Sequence, residues 1–284
     1  MKGCVNYIIL ILILSRIHAG AQQMFPYHLD NNLQWSAYEK MASFEEKRSV
    51  VNQLQEAGLF MEHYPSLNEM IKGIHFIDFN GDSKNEIVYN GSYPGEGTLL
   101  LIFMQTDDSW ARIFSTMGEI IRLNYNSGII YSLDVSEPGC CADPTTVFKT
   151  YRVSTDNRKI FIDKIFESKI LTGTDIPHKF FRIPTEFEIL NEKYFLRSGP
   201  EIMDEPFDDY LEQYGNQIGK LSAGTQGRAL GESTDSTGRV WWFVEIYPRY
   251  KIADCVFYSD EYYKDFHKTH IVGWISSRFV KKLD

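Results

Sequence analysis

The residues best suited to chemistry stand in one short stretch, Asp78-Phe79-Asn80-Gly81-Asp82-Ser83-Lys84-Asn85-Glu86. With Asp78 as the first position, oxygen-bearing side chains occur at the first, third, fifth and ninth places (Asp78, Asn80, Asp82, Glu86), and the Lys84 carbonyl is available at the seventh. Calcium takes about six to eight hard oxygen ligands from a tightly curled loop, and this spacing supplies them. Ile74, Phe76 and Ile77 precede the loop and Ile87, Val88 and Tyr89 follow it, so it joins two strands rather than two helices. The sixth position, where a positive φ favours glycine, is Ser83. A ligand shell closed by the chain leaves no open coordination position, so calcium held here is structural. The competing reading is an Asn-Gly hairpin turn whose acids are simply solvated.

Other reactive groups are sparser. His267 and His270 are three apart, near Asp254 and Asp265, but no third strong zinc ligand follows at a recognised spacing. Cys140, Cys141 and Cys255 are the disulfide candidates of an exported chain. Adjacent cysteines bond each other only with strain, so the pairing favoured is Cys255 with either Cys140 or Cys141, leaving one thiol over. Nucleophile-elbow, zinc-protease, phosphate-loop and dinucleotide motifs are missing from the sequence, and no catalytic residue is assigned. Aromatic residues make up 14% of the chain and concentrate toward its end. Tyr210, Tyr214, Trp242, Tyr262, Tyr263 and Trp274 are the candidate ligand-binding residues, since amphipathic rings suit recognition. The alternative is that these rings pack their own loops onto the body of the protein.

The elements that must position these groups are mostly strands. Tyr38, Met41, Phe44, Val51, Leu54 and Leu59 recur at helical spacing, which predicts a helix over 36–58 ending at Gly58. From Ile74 the pattern changes. Strands are predicted over 74–79, 86–89, 98–104, 110–115, 119–123, 128–135, 146–153 and 159–166, separated by turn signals such as Asn126-Ser127-Gly128, as in an antiparallel meander. The mixed polar, Gly- and Pro-containing segment Leu171–Pro184 reads as a linker. A second strand set follows over 187–190, 194–197, 218–221, 226–231, 240–246, 270–276 and 279–281. The fold class expected from these elements is mainly β: an N-terminal helix with an antiparallel β-meander over 22–183, then a second set of strands over 186–284.

The N-terminus reads as an export signal. Lys2 is followed by the unbroken apolar run Ile8–Leu14, and Ala19-Gly20-Ala21 offers a small-x-small cleavage site. The run is too short to span a bilayer as a helix, and no later stretch is long enough, so no transmembrane segment is expected in the mature chain. Localisation is expected to be periplasmic or extracellular. Loss of residues 1–21 removes Lys2 and Arg16 and moves the formal charge from −9 to −11. Such an acidic surface repels phosphate backbones and argues against nucleic acid as a partner.

Two stretches resemble known families. The loop at Asp78–Glu86, flanked by strands, resembles the calcium loop of FG-GAP/VCBS-type repeats, though only one copy is present. The order Phe195-Leu196-Arg197-Ser198-Gly199-Pro200, Ile218-Gly219-Lys220-Leu221-Ser222-Ala223-Gly224-Thr225, Trp241-Trp242-Phe243-Val244 and Gly273-Trp274-Ile275-Ser276-Ser277-Arg278-Phe279-Val280 resembles the bacterial SH3 (SH3b) domain over about residues 186–284. That resemblance implies a C-terminal SH3-like small β-barrel over 186–284, a module that binds peptidoglycan or peptides in the cell envelope. Strand alternation points Leu196 inward and Arg197 outward, and Gly273 permits a close strand approach. Two insertions depart from the family pattern, Glu201–Gln217 and Pro248–Thr269. The function expected is a secreted binding protein without catalysis, recognising peptidoglycan, peptide or an envelope protein. The alternatives are a cell-wall hydrolase and an inhibitor or immunity-like protein.

Overall fold

The computed structural model describes residues 37–60, 66–93, 97–106, 109–139, 144–157, 159–209, 213–250, 252–256 and 269–283. The export signal, Cys140, Cys141, Tyr210, Tyr262, Tyr263 and His267 lie outside the described residues.

Helix α1 spans Phe44–Glu56, shorter than the 36–58 predicted. Its start is fixed by Ser43: the Glu46 amide donates to Ser43 Oγ, and the Ser43 amide donates to Glu46 Oε2 at 2.7 Å. This reciprocal cap satisfies amides that otherwise have no partner, which leaves Tyr38 and Met41 before the helix. Val50, Val51 and Leu54 form the buried face. A short α2 (Leu67–Lys72) runs into the first strand.

All eight strands predicted for the first half form. β1 (Ile74–Ile77), β2 (Glu86–Ser92), β3 (Thr98–Gln105) and β4 (Trp110–Met117) make an antiparallel sheet in chain order. The apolar run of β3 is buried on both faces. Leu99, Leu101 and Phe103 pack against α1 and α2, while Leu100 and Ile102 pack against a second sheet. A strand covered on both sides reads as a continuous apolar run instead of an alternating one.

That second sheet contains β5 (Glu119–Asn126), β6 (Ile129–Pro138), β7 (Thr145–Asp156) and β8 (Lys159–Leu171), again in chain order. The C-terminal half adds β9 (Phe180–Ile189), β10 (Tyr194–Arg197), the small hairpin β11 (Phe207–Asp208) and β12 (Gln213–Tyr214), then β13 (Gln217–Leu221), β14 (Gln226–Thr234), β15 (Val240–Ile246), β16 (His270–Ser276) and β17 (Val280–Lys282). A single 3-10 turn, Ser277–Phe279, separates the last two strands. The segment read as a linker is partly strand, since β9 begins at Phe180.

One ladder path runs β17-β9-β14-β15-β16-β8-β7-β6-β5, and β10 bonds both β13 and β16. The two halves meet where β16 pairs with β8 in parallel, from His270↔Ser168 to Val272↔Ile170. The path has free ends, so no closed barrel exists among the described residues. β15 divides two cores. Trp242, Val244 and Ile246 face a C-terminal core with Phe187, Leu196 and Ile218, whereas Trp241 and Phe243 face Phe148, Ile170 and Trp274. Gly273 sits where β10 crosses β16. A Cβ there would stand 2.8 Å from the Arg197 carbonyl oxygen, which is the close approach the sequence anticipates.

Candidate functional site

The Asp78–Glu86 turn curls as its spacing requires. Asp78 Oδ1 accepts from the Gly81 amide (2.7 Å) and Oδ2 from the Ser83 amide (2.8 Å). Asn80 Oδ1 accepts from the Asp82 amide, and Asp82 Oδ1 from the Lys84 amide. Ser83 occupies the left-handed region, with φ +67°, although it carries a side chain. Phe79, fully buried, plugs the core between the two sheets; its amide donates to Glu86 Oε2 at 2.9 Å, and its carbonyl accepts from the Ile130 amide on β6. The turn therefore ties the small sheet to the β5–β6 hairpin.

Glu86 is the strained member electrostatically. It is 3% exposed, and burial pushes its carboxyl up to about 7, with Asp82 and Asp78 adding to the rise. Among the described residues no cationic side chain pairs with Asp78, Asp82 or Glu86, so the site is rich in oxygen and short of positive charge. The three acids do not by themselves form a carboxylate cage. A hard cation here would be held by Asp78, Asp82 and Glu86 together with the Asn80 amide oxygen and the Lys84 carbonyl, a donor set that suits calcium.

A second site was not legible in the sequence. Arg197, expected to point outward, is only 4% exposed. The insertion after it folds back over the guanidinium, whose Nη1 donates to the Asn216 Oδ1 (2.8 Å) and Met203 carbonyl (3.2 Å) and whose Nη2 donates to Asp204 Oδ1 (2.9 Å). Asn216 Nδ2 in turn donates to the Glu201 carbonyl at 3.1 Å. At Gly215, φ is +53° and a Cβ would lie 2.1 Å from the Met203 carbonyl oxygen, so only glycine fits. The buried cation thus organises the loop beneath β11 and β12. The hydrogen bond from Gln217 and the Arg197 guanidinium hold the Asp204 carboxyl below its ordinary range. On the outside of the same loop the Phe207 and Tyr214 rings pack 4.7 Å apart, and both remain exposed.

The other aromatic candidates divide. Trp242 (5% exposed) and Trp274 (1%) are core residues and offer no face to a ligand. Trp274 Nε1 donates to the Asp175 carbonyl at 2.7 Å, so even its polar edge is used internally. Large indoles on strands buried from both sides fill cores, which is the physical reason the groove reading fails for these two. Of the three described candidates, Tyr214 is the one left at the surface. In the second insertion, Tyr250 packs against the C-terminal core, and Ala253 bridges to Lys220 on β13.

The remaining groups do not converge. Cys255 is buried beside Ile252 and Ile271 in the C-terminal core. His270 turns to the opposite face of β16, with Nδ1 2.7 Å from Glu245 Oε1 and its ring against Phe166. Glu245 is fully buried and also accepts from Arg228 Nε and Nη2. The Arg228–Glu245–His270 row crosses β14, β15 and β16 with Phe166 of β8 against both its ends, and it was not anticipated from spacing because its members come from three strands. Among the described residues no helix is long and apolar enough to cross a membrane. Comparison with protein-family models, curated proteins and solved structures finds no match to this chain.

Proposed function

We propose that this chain is an exported, non-catalytic binding protein of the cell envelope. In this reading the C-terminal half is an SH3b-like unit whose insertions carry the recognition surface, and the N-terminal half is braced by a structural calcium ion in the Asp78–Glu86 loop. The strand arrangement supports the SH3b-like reading. β9 is bonded on its two edges to β14 and β17, β10 to β13 and β16, and these strands wrap one apolar core in the manner of a small, open barrel.

The observation that carries the binding reading is the Glu201–Gln217 insertion. It is fixed from below by a buried arginine and an asparagine, yet its Phe207 and Tyr214 rings stay exposed. Rings held rigid at a surface lower the entropy lost on recognition. The partner class is peptidoglycan, peptide or an envelope protein. The test is incubation of the full chain from Gln22 with purified sacculi and with an envelope-protein fraction. Retention without release of soluble muropeptides is the expected result. Muropeptide release would replace the proposal with a hydrolase, and retention by neither material would end it.

A further inference from the structure

We infer that the exposed Phe207–Tyr214 ring pair of the Glu201–Gln217 loop, with Ile202 and Met203 also exposed in that loop, binds a basic polypeptide segment bearing an apolar anchor. The inference rests on the binding reading above and narrows it to one ligand chemistry.

The face is apolar and open. Ile202 is 53% exposed, Met203 41%, Phe207 46% and Tyr214 56%. Large apolar side chains gathered in one loop are costly to leave in water, and contiguous groups of them mark interaction sites. Among the described residues β11 and β12 bond only each other, and no third strand pairs with this hairpin.

The face is also pre-formed. Arg197 and Asn216 hold the backbone at Glu201 and Met203 and the Asp204 carboxylate, and the Gly215 amide donates to the Pro206 carbonyl, so Phe207 and Tyr214 leave a backbone that is fixed on both sides of the hairpin. Such a backbone reduces the ordering cost of association.

Charge selects the partner. Between Arg197 and Lys220 the sequence holds Glu201, Asp204, Glu205, Asp208, Asp209 and Glu212, and no lysine or arginine. Arg197 is buried and engages Asp204, so it does not neutralise the rim. Glu201, Glu205 and Asp209 are exposed. A carboxylate-bearing wall polymer meets like charge here, whereas Lys or Arg side chains meet opposite charge around two ring faces on which a cation can also rest. A basic segment with an aliphatic or aromatic residue satisfies both features at once.

The test is selection from a random phage-displayed peptide library on the immobilised full chain from Gln22. Enriched peptides are expected to place Lys or Arg beside an apolar residue. Their synthetic versions should lose about tenfold or more in affinity against the Phe207→Ala/Tyr214→Ala double variant. Both side chains are exposed and outside the Arg197 cage, so an unchanged melting temperature confirms that the variant folds. Asp209→Lys, a second and independent variant, should weaken the same peptides, and raised salt should do likewise. Failure to enrich, enrichment of peptides without cations, or binding indifferent to both variants would overturn the inference. Sacculus retention that survives the double variant would leave the broader binding reading standing while removing this face from it.

Discussion

Two acidic turns in this protein use the same side chains in opposite ways. In Asp78–Glu86 the oxygens of Asp78, Asn80 and Asp82 bend inward onto the turn's own amides, and Glu86 is buried against Phe79. In Glu201–Gln217 the organising charge is a buried arginine, and most of the acids face outward. The first turn gathers its carboxylates onto its own amides, and among the described residues no cation pairs with them. The second is supplied with its cation by the chain itself and is free to display the rest. Composition alone would place both in one class; the position of the cation separates them.

The comparison is broken most forcefully at Arg197. Arg197→Ala removes the donor to Met203, Asp204 and Asn216 and is expected to cost about 3 kcal/mol of stability in urea unfolding. Limited proteolysis should then cut within 201–217. An exposed pair gives the contrast: Arg152→Ala, at a residue 4.0 Å from Asp163 with both side chains more than half exposed, should change stability by about 0.5 kcal/mol or less.

The inward turn is probed by adding what it lacks. Calcium at a hundredfold excess over its dissociation constant should raise stability by about 2.7 kcal/mol, read as a shift in thermal unfolding. Asp82→Ala should abolish that shift and leave the Arg197 loop untouched. A chain whose melting temperature ignores millimolar calcium would remove the metal from the proposal.

The charge on Glu86 sharpens the difference further. Its carboxyl is raised in the folded state to about 7 from an ordinary 4.5. The folded protein therefore holds more protons than the unfolded chain between those values. Without calcium, stability falls as pH rises from about 4.5 to 7, by an amount on the order of 2 kcal/mol. Glu86→Gln should flatten this part of the stability curve, stabilise the calcium-free protein at pH 8 and weaken calcium binding. A wild-type curve that rises across the same window would refute the assignment.

The smallest effect is expected at Ser83, which carries a side chain at φ +67°. Ser83→Gly should stabilise the calcium-free fold by roughly 0.5–1 kcal/mol, because glycine adopts this conformation without the Cβ penalty.

Much of this was legible in order along the chain. The eight strands of the first half follow from β-branched and aromatic runs between turn residues, and the oxygen spacing of the Asp78 loop is visible without coordinates. The helix boundary was misplaced because periodicity continues through Tyr38 and Met41, while the Ser43 cap decides where hydrogen bonding starts. Trp242 and Trp274 looked like groove residues because an indole serves recognition and packing equally well; only the tertiary structure shows them to be core, Trp242 in the C-terminal core and Trp274 in the core on the opposite face of the sheet. Arg197 was assigned to solvent by alternation, a rule that counts faces of a strand and cannot see a loop returning over one of them.

The sequence by itself determined what depends on neighbours in the chain: a mainly β protein, the positions of the eight strands of its first half, and the curled acidic turn, since turn chemistry and alternation act over a few residues. Tertiary structure alone decided the parallel seam between β8 and β16, the burial of Glu245 under Arg228 and His270, and the arginine beneath the outward-facing insertion. Those arrangements join residues far apart in sequence, and their energies come from excluding water at contacts that no local pattern specifies.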